Sequence, residues 1–229
     1  MRDVRMGCRE SDPDELLTDL GRAYARALLA GDEIGAEMAV RDAIDARLTT
    51  LQIDEEIIAP ALWLVGRLWA RGEISVADEH LATSISLRVL ALQREVSRTA
   101  LGRAGRKAML AAPTGELHIV ALQMIANLLR EAGYTVLMLG PDMPPDALAE
   151  AACRHEPEVI CLTATMPDVS DRVMLTIHEV ERGWGGAGYI LGGNGLSPRL
   201  RARPGMHVCA RVSEVVDAAD AVVKRAELN

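Results

Sequence analysis

The sequence of 229 residues contains no phenylalanine and only three tryptophans and three tyrosines. Because 49% of the chain is nonetheless apolar, a core of ordinary size must be filled by Ala, Leu, Val and Ile. No apolar run approaches bilayer-spanning length, and the charged segment from Met1 to Asp12 is unlike a secretion signal. The reading is a disordered lead-in over residues 1–12 on a cytoplasmic chain with no membrane partner. Clustered lysines and arginines of the kind that track phosphates are missing, and the net charge is −8, which argues against nucleic acid as a direct partner. The four cysteines, Cys8, Cys153, Cys161 and Cys209, are scattered and form no CxxC pair. That pattern reads as reduced thiols and no zinc site.

What is present falls into two rhythms. Residues 13–103 repeat apolar positions at helical spacing. Asp12-Pro13 reads as the cap of a first helix, with Leu16, Leu17, Leu20, Tyr24 and Leu28 on one face and Gly31-Asp32 at its end. Further helices are expected over 34–48, 54–71 and 75–98. The third carries Ile57, Ile58, Ala61, Leu62, Val65, Leu68 and Trp69 inward, with Pro60 as a kink or as its true first turn. Four helices with short turns predict an antiparallel bundle. Residues 102–106 read as a linker.

From residue 104 to 229 short apolar runs alternate with helices. Strands are expected over 107–112, 135–139, 159–162, 188–191 and 207–209, and helices over 117–132, 146–154, 170–182 and 213–225. The fold class is therefore an amino-terminal four-helix bundle followed by a flavodoxin-like, doubly wound five-stranded parallel sheet.

Three loops at the strand ends carry the candidate chemistry. Glu116-Leu117-His118 follows the first strand, where open α/β sheets bind ligands; His118 can offer a ring nitrogen and Glu116 can fix its tautomer. Thr163-Ala164-Thr165 follows the third strand and Gly192-Gly193-Asn194-Gly195 the fourth. His155, His178 and His207 read as structural, and Trp184 as a loop residue. No motif for hydrolysis, phosphoryl transfer or redox chemistry is visible, so the chain is not expected to be an enzyme.

Over residues 107 to about 226 these motifs and their spacing resemble the cobalamin-binding domain family, whose pattern is Asp-x-His-x-x-Gly, Ser-x-Leu and Gly-Gly. The resemblance implies that His118 is the lower axial ligand of a base-off cobalamin cobalt, supported by Glu116. It further implies that Thr163 faces the nucleotide tail and that Gly192 and Gly193 line its slot. Here Glu116 stands for Asp, Ala121 for Gly, Thr163 for Ser and Thr165 for Leu.

In the helical half, Leu68 to His80, with Trp69, Glu79 and His80, resembles the cap of light-sensing cobalamin proteins such as CarH-type repressors. The segment Leu139-Gly140-Pro141-Asp142 shares that resemblance, with Asp142 at the corrin edge. It implies adenosylcobalamin with Trp69 over the upper face, Glu79 and His80 bordering the pocket, and a light-dependent homo-oligomer signalling through a downstream regulatory protein. Two departures stand out. Ala70 follows the Trp where the repressors carry a second cobalt-ligating His, so water or His80 takes the upper site after illumination. The sequence also opens on the bundle without a helix-turn-helix segment, so operator binding by that route is not expected. A bundle joined to such a domain also resembles the photocobilins, which implies biliverdin as a second chromophore, with Arg67, Arg71 and Arg88 for its propionates. The alternative is a corrinoid methyl carrier of a methyltransferase system, which would share the bundle, His118 and the two glycines.

Overall fold

The computed structural model describes residues 17–96, 106–166, 169–197 and 200–226. The chain divides into two compact units, one ending at Val89 and one beginning at Leu90.

The helical unit opens on α1, Asp19–Ala30. Thr18 caps it, its side chain accepting the amide of Gly21 at 3.0 Å; Asp12-Pro13, expected as a helix cap, lies outside the described residues. Helix α2, Glu33–Asp45, is capped the same way by Asp32. The third helical run starts earlier than the periodicity predicts. A reciprocal Thr49/Gln52 capping box launches α3, Thr50–Ile53, and a π turn over Asp54–Ile58 leads into α4, Ala59–Ala70. Pro60 has no amide hydrogen to give to the preceding turn, and the chain widens there instead of breaking. Helix α5 is Val76–Val96.

Small and branched residues fill the interior, as the lack of aromatics requires: Leu28, Ala36, Val40, Ile57, Ile58, Ala61, Val65, Ile85 and Val89 are buried. Tyr24 is the aromatic exception. Its hydroxyl donates to Ser86 Oγ at 2.9 Å, and burial pushes the phenol well above its ordinary range despite that bond. Trp69 does not join this core: it is 49% exposed, and Leu62 and Leu68 are half-buried.

The second unit is a five-stranded, all-parallel sheet ordered β2-β1-β3-β4-β5. Its strands are β1 Lys107–Pro113, β2 Thr135–Met143, β3 Val159–Thr163, β4 Gly188–Gly192 and β5 Met206–Cys209. The crossovers are α6 Val120–Glu131, α7 Pro145–His155, α8 Ser170–Gly183 and, after a short 3-10 turn, α9 Val215–Ala226. Alternate residues of each strand serve opposite faces. Ala108, Leu110, Cys161 and Ile190 pack with α6 and α9, whereas Met109, Ala111, Ile160 and Leu191 pack with α7 and α8. Cys161 and Cys209 are buried thiols; burial drives Cys209 up to about 11 and Cys161 higher still, so both stay protonated.

Strand β2 runs four residues past its predicted end. Gly140-Pro141-Asp142, expected to follow the strand, belongs to it: two register shifts let Gly140 pair with Ala111 and Met143 with Pro113. Among the described residues no helix is long and apolar enough to cross a membrane.

The core assignment predicts a contrast. Leu110→Ala, in the fully buried centre of β1, should cost about 2–5 kcal/mol. Ile34→Ala, at a site 70% exposed, should change stability by less than about 0.5 kcal/mol. Urea titration followed by circular dichroism measures both.

Candidate functional site

Strand order reverses at β1, which has β2 on one side and β3 on the other. The loops leaving β1 and β3 run to opposite faces of the sheet and open a crevice at their carboxyl ends. Pro113 to Glu116 forms a tight turn in which the Glu116 amide donates to the Pro113 carbonyl at 2.9 Å and Gly115 takes φ +85°. The turn aims the Glu116 side chain into the crevice, where it is fully buried.

The two oxygens of that carboxylate do separate work. Oε1 accepts the His118 amide at 3.0 Å and lies 2.5 Å from His118 Nδ1. Oε2 accepts the amides of Thr165 at 2.5 Å and Met166 at 2.9 Å. One side chain thus joins the β1 loop to the β3 loop. Helix α6 starts at Val120 rather than at the predicted 117, and residues 117–119 stay outside it. Burial by itself pushes the Glu116 carboxyl upward. The hydrogen bonds from the His118 ring and from the Met166, His118 and Thr165 amides outweigh it and bring the pKa down to about 2. Glu116 is therefore a carboxylate at any ordinary pH. With that acceptor beside Nδ1, a neutral ring keeps its proton there and offers Nε2 as the other nitrogen. The His118 side chain is 49% exposed.

Thr163 ends β3 with its hydroxyl buried and without a hydrogen-bond partner among the described residues. A buried hydroxyl left so is costly unless a ligand serves it. Beside it in the sheet is Gly192, the register partner of Thr163. A Cβ built at Gly192 meets nothing closer than the Cys209 carbonyl at 3.7 Å, so the chain itself leaves room there. Gly193 is a glycine for another reason: its φ is +111° and a Cβ would stand 2.2 Å from the Ala164 carbonyl oxygen. The β3 and β4 loops are also hydrogen-bonded together, Ala164 N to Gly192 O at 2.9 Å and Gly195 N to Ala164 O at 2.8 Å.

Of the residues singled out in the sheet unit, Glu116, His118, Thr165 and Asp142 are thus brought together by direct or one-step hydrogen bonds. Asp142 takes the Gly115 amide at 2.7 Å and lies on β2, not in a loop. Thr163 and Gly192 adjoin each other at the end of the sheet, and Ala121 is half-buried in the first turn of α6. Sequence reasoning passed over Leu117 and Met166, which flank the pair and expose apolar surface of 69% and 46%. The amide of Met166 was also missed, because a main-chain donor leaves no mark in a sequence. Among the described residues no three His, Cys, Asp or Glu side chains converge to hold a bare metal ion. A single imidazole suits a metal that arrives with its other ligands.

In the helical unit, His80 Nδ1 lies 2.6 Å from Glu79 Oε2, Glu79 Oε1 accepts from Thr83 Oγ1 at 3.0 Å, and the His80 ring is mostly exposed. Trp69 closes α4 half exposed. Of the three arginines considered for propionates, Arg88 is engaged by both Glu33 and Glu37, and Arg71 lies 3.8 Å from Glu73. Of the structural histidines, His155 and His178 are exposed on helices and His207 lies on edge strand β5; the Trp184 indole donates to the Pro157 carbonyl at 3.0 Å.

A family model described as a B12 binding domain matches residues 106–223, and a second B12 binding domain model matches residues 20–92. The HTH-type transcriptional repressor CarH of Myxococcus xanthus is 31% identical over 144 residues, covering 61% of this chain and 47% of the repressor. The HTH-type transcriptional repressor CarA of the same organism is 26% identical over 174 residues, covering 76% and 57%. The methanol corrinoid protein of Methanosarcina barkeri is 24% identical over 153 residues, covering 67% and 57%. The chain spans about half the length of these curated relatives. The solved structure of the Methanosarcina barkeri monomethylamine corrinoid protein aligns over 93% of this chain and 99% of that one, with a TM-score of 0.65 at 19% identity, which establishes the shared fold.

Two predictions follow from this geometry. Glu116 has a folded pKa of about 2 against an ordinary 4.5, so its contribution to stability is complete above pH 4.5 and is lost as the pH falls toward 2. In Glu116→Gln an amide nitrogen must face imidazole or main-chain N–H donors. The variant should lack about 3 kcal/mol of wild-type stability at neutral pH and converge with wild type near pH 2, measured by urea unfolding across that range. Gly193→Ala should unfold at markedly lower urea than wild type, whereas Gly192→Ala should keep the wild-type midpoint.

Proposed function

The chain belongs to the B12-binding-domain family and is a cobalamin-binding protein; from that premise we propose that it is a light-responsive regulator rather than a catalyst. The observation that carries the cofactor assignment is the Glu116–His118 pair at the switch point of the sheet. In this reading His118 holds cobalt through Nε2, and Glu116 raises the basicity of the ring through Nδ1. Thr163 and Gly192 receive the nucleotide tail; the unserved hydroxyl and the open Cβ direction fit such an occupant. Thr165 supplies an amide that holds Glu116, and Leu117 and Met166 offer apolar surface to a macrocycle. When bound, cobalamin would be held by His118 and would supply a light-labile cobalt–alkyl bond.

The light-sensing part of the reading rests on the helical unit. A tryptophan that served only the core would be buried, and Trp69 is half exposed beside a hairpin that carries the Glu79–His80 pair. We assign these three residues to the alkyl side of the cofactor, adenosyl in this reading. Trp69 then has a packing partner only while that group is in place. Its release on illumination changes which surfaces of the helical unit are covered, and with them the state of self-association and the hold on a downstream regulatory protein. The similarity to two transcriptional repressors supports a regulatory output. With Ala70 after the tryptophan, the vacated position falls to water or His80.

The similarity to the methanol corrinoid protein favours a second reading, a methyl carrier. Spectra and size-exclusion profiles of protein loaded with adenosylcobalamin, before and after green light, separate the two. A light-dependent shift in both supports the sensor. A methylcobalamin adduct that transfers its methyl group to thiol or folate, with no change in size on illumination, supports the carrier. His118→Ala should abolish coordination by protein nitrogen, and Glu116→Gln should weaken cobalamin binding by about 10–100-fold in equilibrium titration. Gly192→Ala should fold normally yet take up cobalamin poorly. Biliverdin added to the loaded protein tests for a second chromophore: a new red absorption band assigns one, and an unchanged spectrum leaves cobalamin as the pigment.

A further inference from the structure

We propose that Asp142 and Arg172 are positioning residues that clamp the turn from Pro113 to Glu116 from two sides and so set His118 for its metal. The claim about the metal rests on the cobalamin reading of His118, but the clamp itself does not depend on it.

Asp142 sits near the end of β2 with φ +53°, a left-handed conformation that few residues other than glycine adopt and that aspartate tolerates. What holds it there is a double grip on the turn. Its Oδ1 accepts the Gly115 amide at 2.7 Å, and its own amide donates to the Glu116 carbonyl at 2.9 Å. The register shifts of β2 against β1 bring it into reach.

Arg172 grips the turn from α8. Its Nη1 donates to the Thr114 carbonyl at 2.9 Å, and the guanidinium lies directly over Gly115, where a Cβ would come within 2.0 Å of Nη1. A cation in the first turn of a helix opposes the helix dipole, so the stability of α8 does not account for it. Among the described residues Arg172 forms no ion pair with a carboxylate. Its hydrogen-bond partner is the turn. Thr114 Oγ1 completes the set with a bond to the Met143 carbonyl at 3.2 Å.

One main-chain group from each of three successive residues, the Thr114 carbonyl, the Gly115 amide and the Glu116 carbonyl, is therefore taken by Asp142 or Arg172. The next link outward is the Glu116 carboxylate, which orients His118. Loosening the turn moves that carboxylate relative to the Thr165 and Met166 amides it must also serve. The resemblance implies Asp142 at the corrin edge; the geometry adds a task within the chain, and it brings in Arg172, which no sequence motif marks.

The test uses Asp142→Gly, which keeps the backbone conformation accessible while removing the carboxylate, and Arg172→Met, which keeps the stem without the donors. Asp142→Asn, with an oxygen acceptor and tolerance of positive φ, is the rescue. Amide hydrogen exchange on the full chain without cofactor should be about tenfold faster at Gly115, Glu116 and His118 in the first two variants, with Leu110 and Ile190 unchanged. In the cobalamin-loaded Co(II) state, electron paramagnetic resonance reads nitrogen splitting from an axial ligand. The share of bound cobalamin with nitrogen on cobalt should fall at least about twofold in both variants and return in Asp142→Asn. Unaltered exchange at the turn overturns the clamp. A lower melting temperature with an unaltered nitrogen-ligated share overturns the positioning role and leaves a merely structural one. Absence of nitrogen splitting in the unsubstituted protein overturns the reading of His118 as a ligand, and is distinguishable because the exchange measurement still reports on the turn.

Discussion

A single buried carboxylate organises the crevice. The two oxygens of Glu116 accept from the His118 amide and from the Thr165 and Met166 amides, with the His118 ring against the first oxygen. Burying a carboxylate is expensive unless its lone pairs are served, and here main-chain donors from two loops serve them. The orientation of the candidate metal ligand and the geometry of the β3 loop are thus properties of one side chain. The Glu116 side chain thereby holds both loops at once.

That carboxylate can do this because of where the sheet changes direction. With strand order β2-β1-β3-β4-β5, the loops after β1 and β3 separate over the sheet, and the space between them is the natural ligand crevice of a doubly wound fold. The β4 loop is held against the β3 loop by hydrogen bonds and by an approach so close that only glycine fits at position 193. Among the described residues this mouth carries the unserved hydroxyl of Thr163 and, beside it, the open Cβ direction at Gly192. Those two features, with His118, make a cobalamin tail and metal a chemically sensible occupant of this chain.

The helical unit shows how a chain with almost no aromatics spends those it has. Tyr24 is committed to the core with a hydrogen bond to Ser86, whereas Trp63 and Trp69 are held largely outside it. Small residues pack the interior without them. Trp69 closes α4 with about half of its surface unused by the bundle.

Much of this was legible in the residues. The change from helical to alternating rhythm near residue 104, the strand positions and the loop placement of His118, Thr163 and Gly192 all follow from periodicity and turn chemistry, which act over a few residues. The tilt toward cobalamin came from motif and spacing. Other features were not legible, because they depend on partners distant in the chain. Pro60 marked a break in the pattern, yet only packing resolved it into a π turn. Gly140-Pro141-Asp142 has turn residues, and pairing with β1 extended it into strand. Trp69 fits a helical core face, and its exposure was set by the neighbours it lacks. The sequence by itself determined which segments form and which side chains could bind a metal, since those rest on local sterics and intrinsic chemistry. Only the tertiary structure decided that Glu116 bridges two loops, that Gly193 is required by the chain's own backbone, and that Asp142 and Arg172 converge on one turn, because each depends on groups tens of residues apart being brought within hydrogen-bond or van der Waals reach.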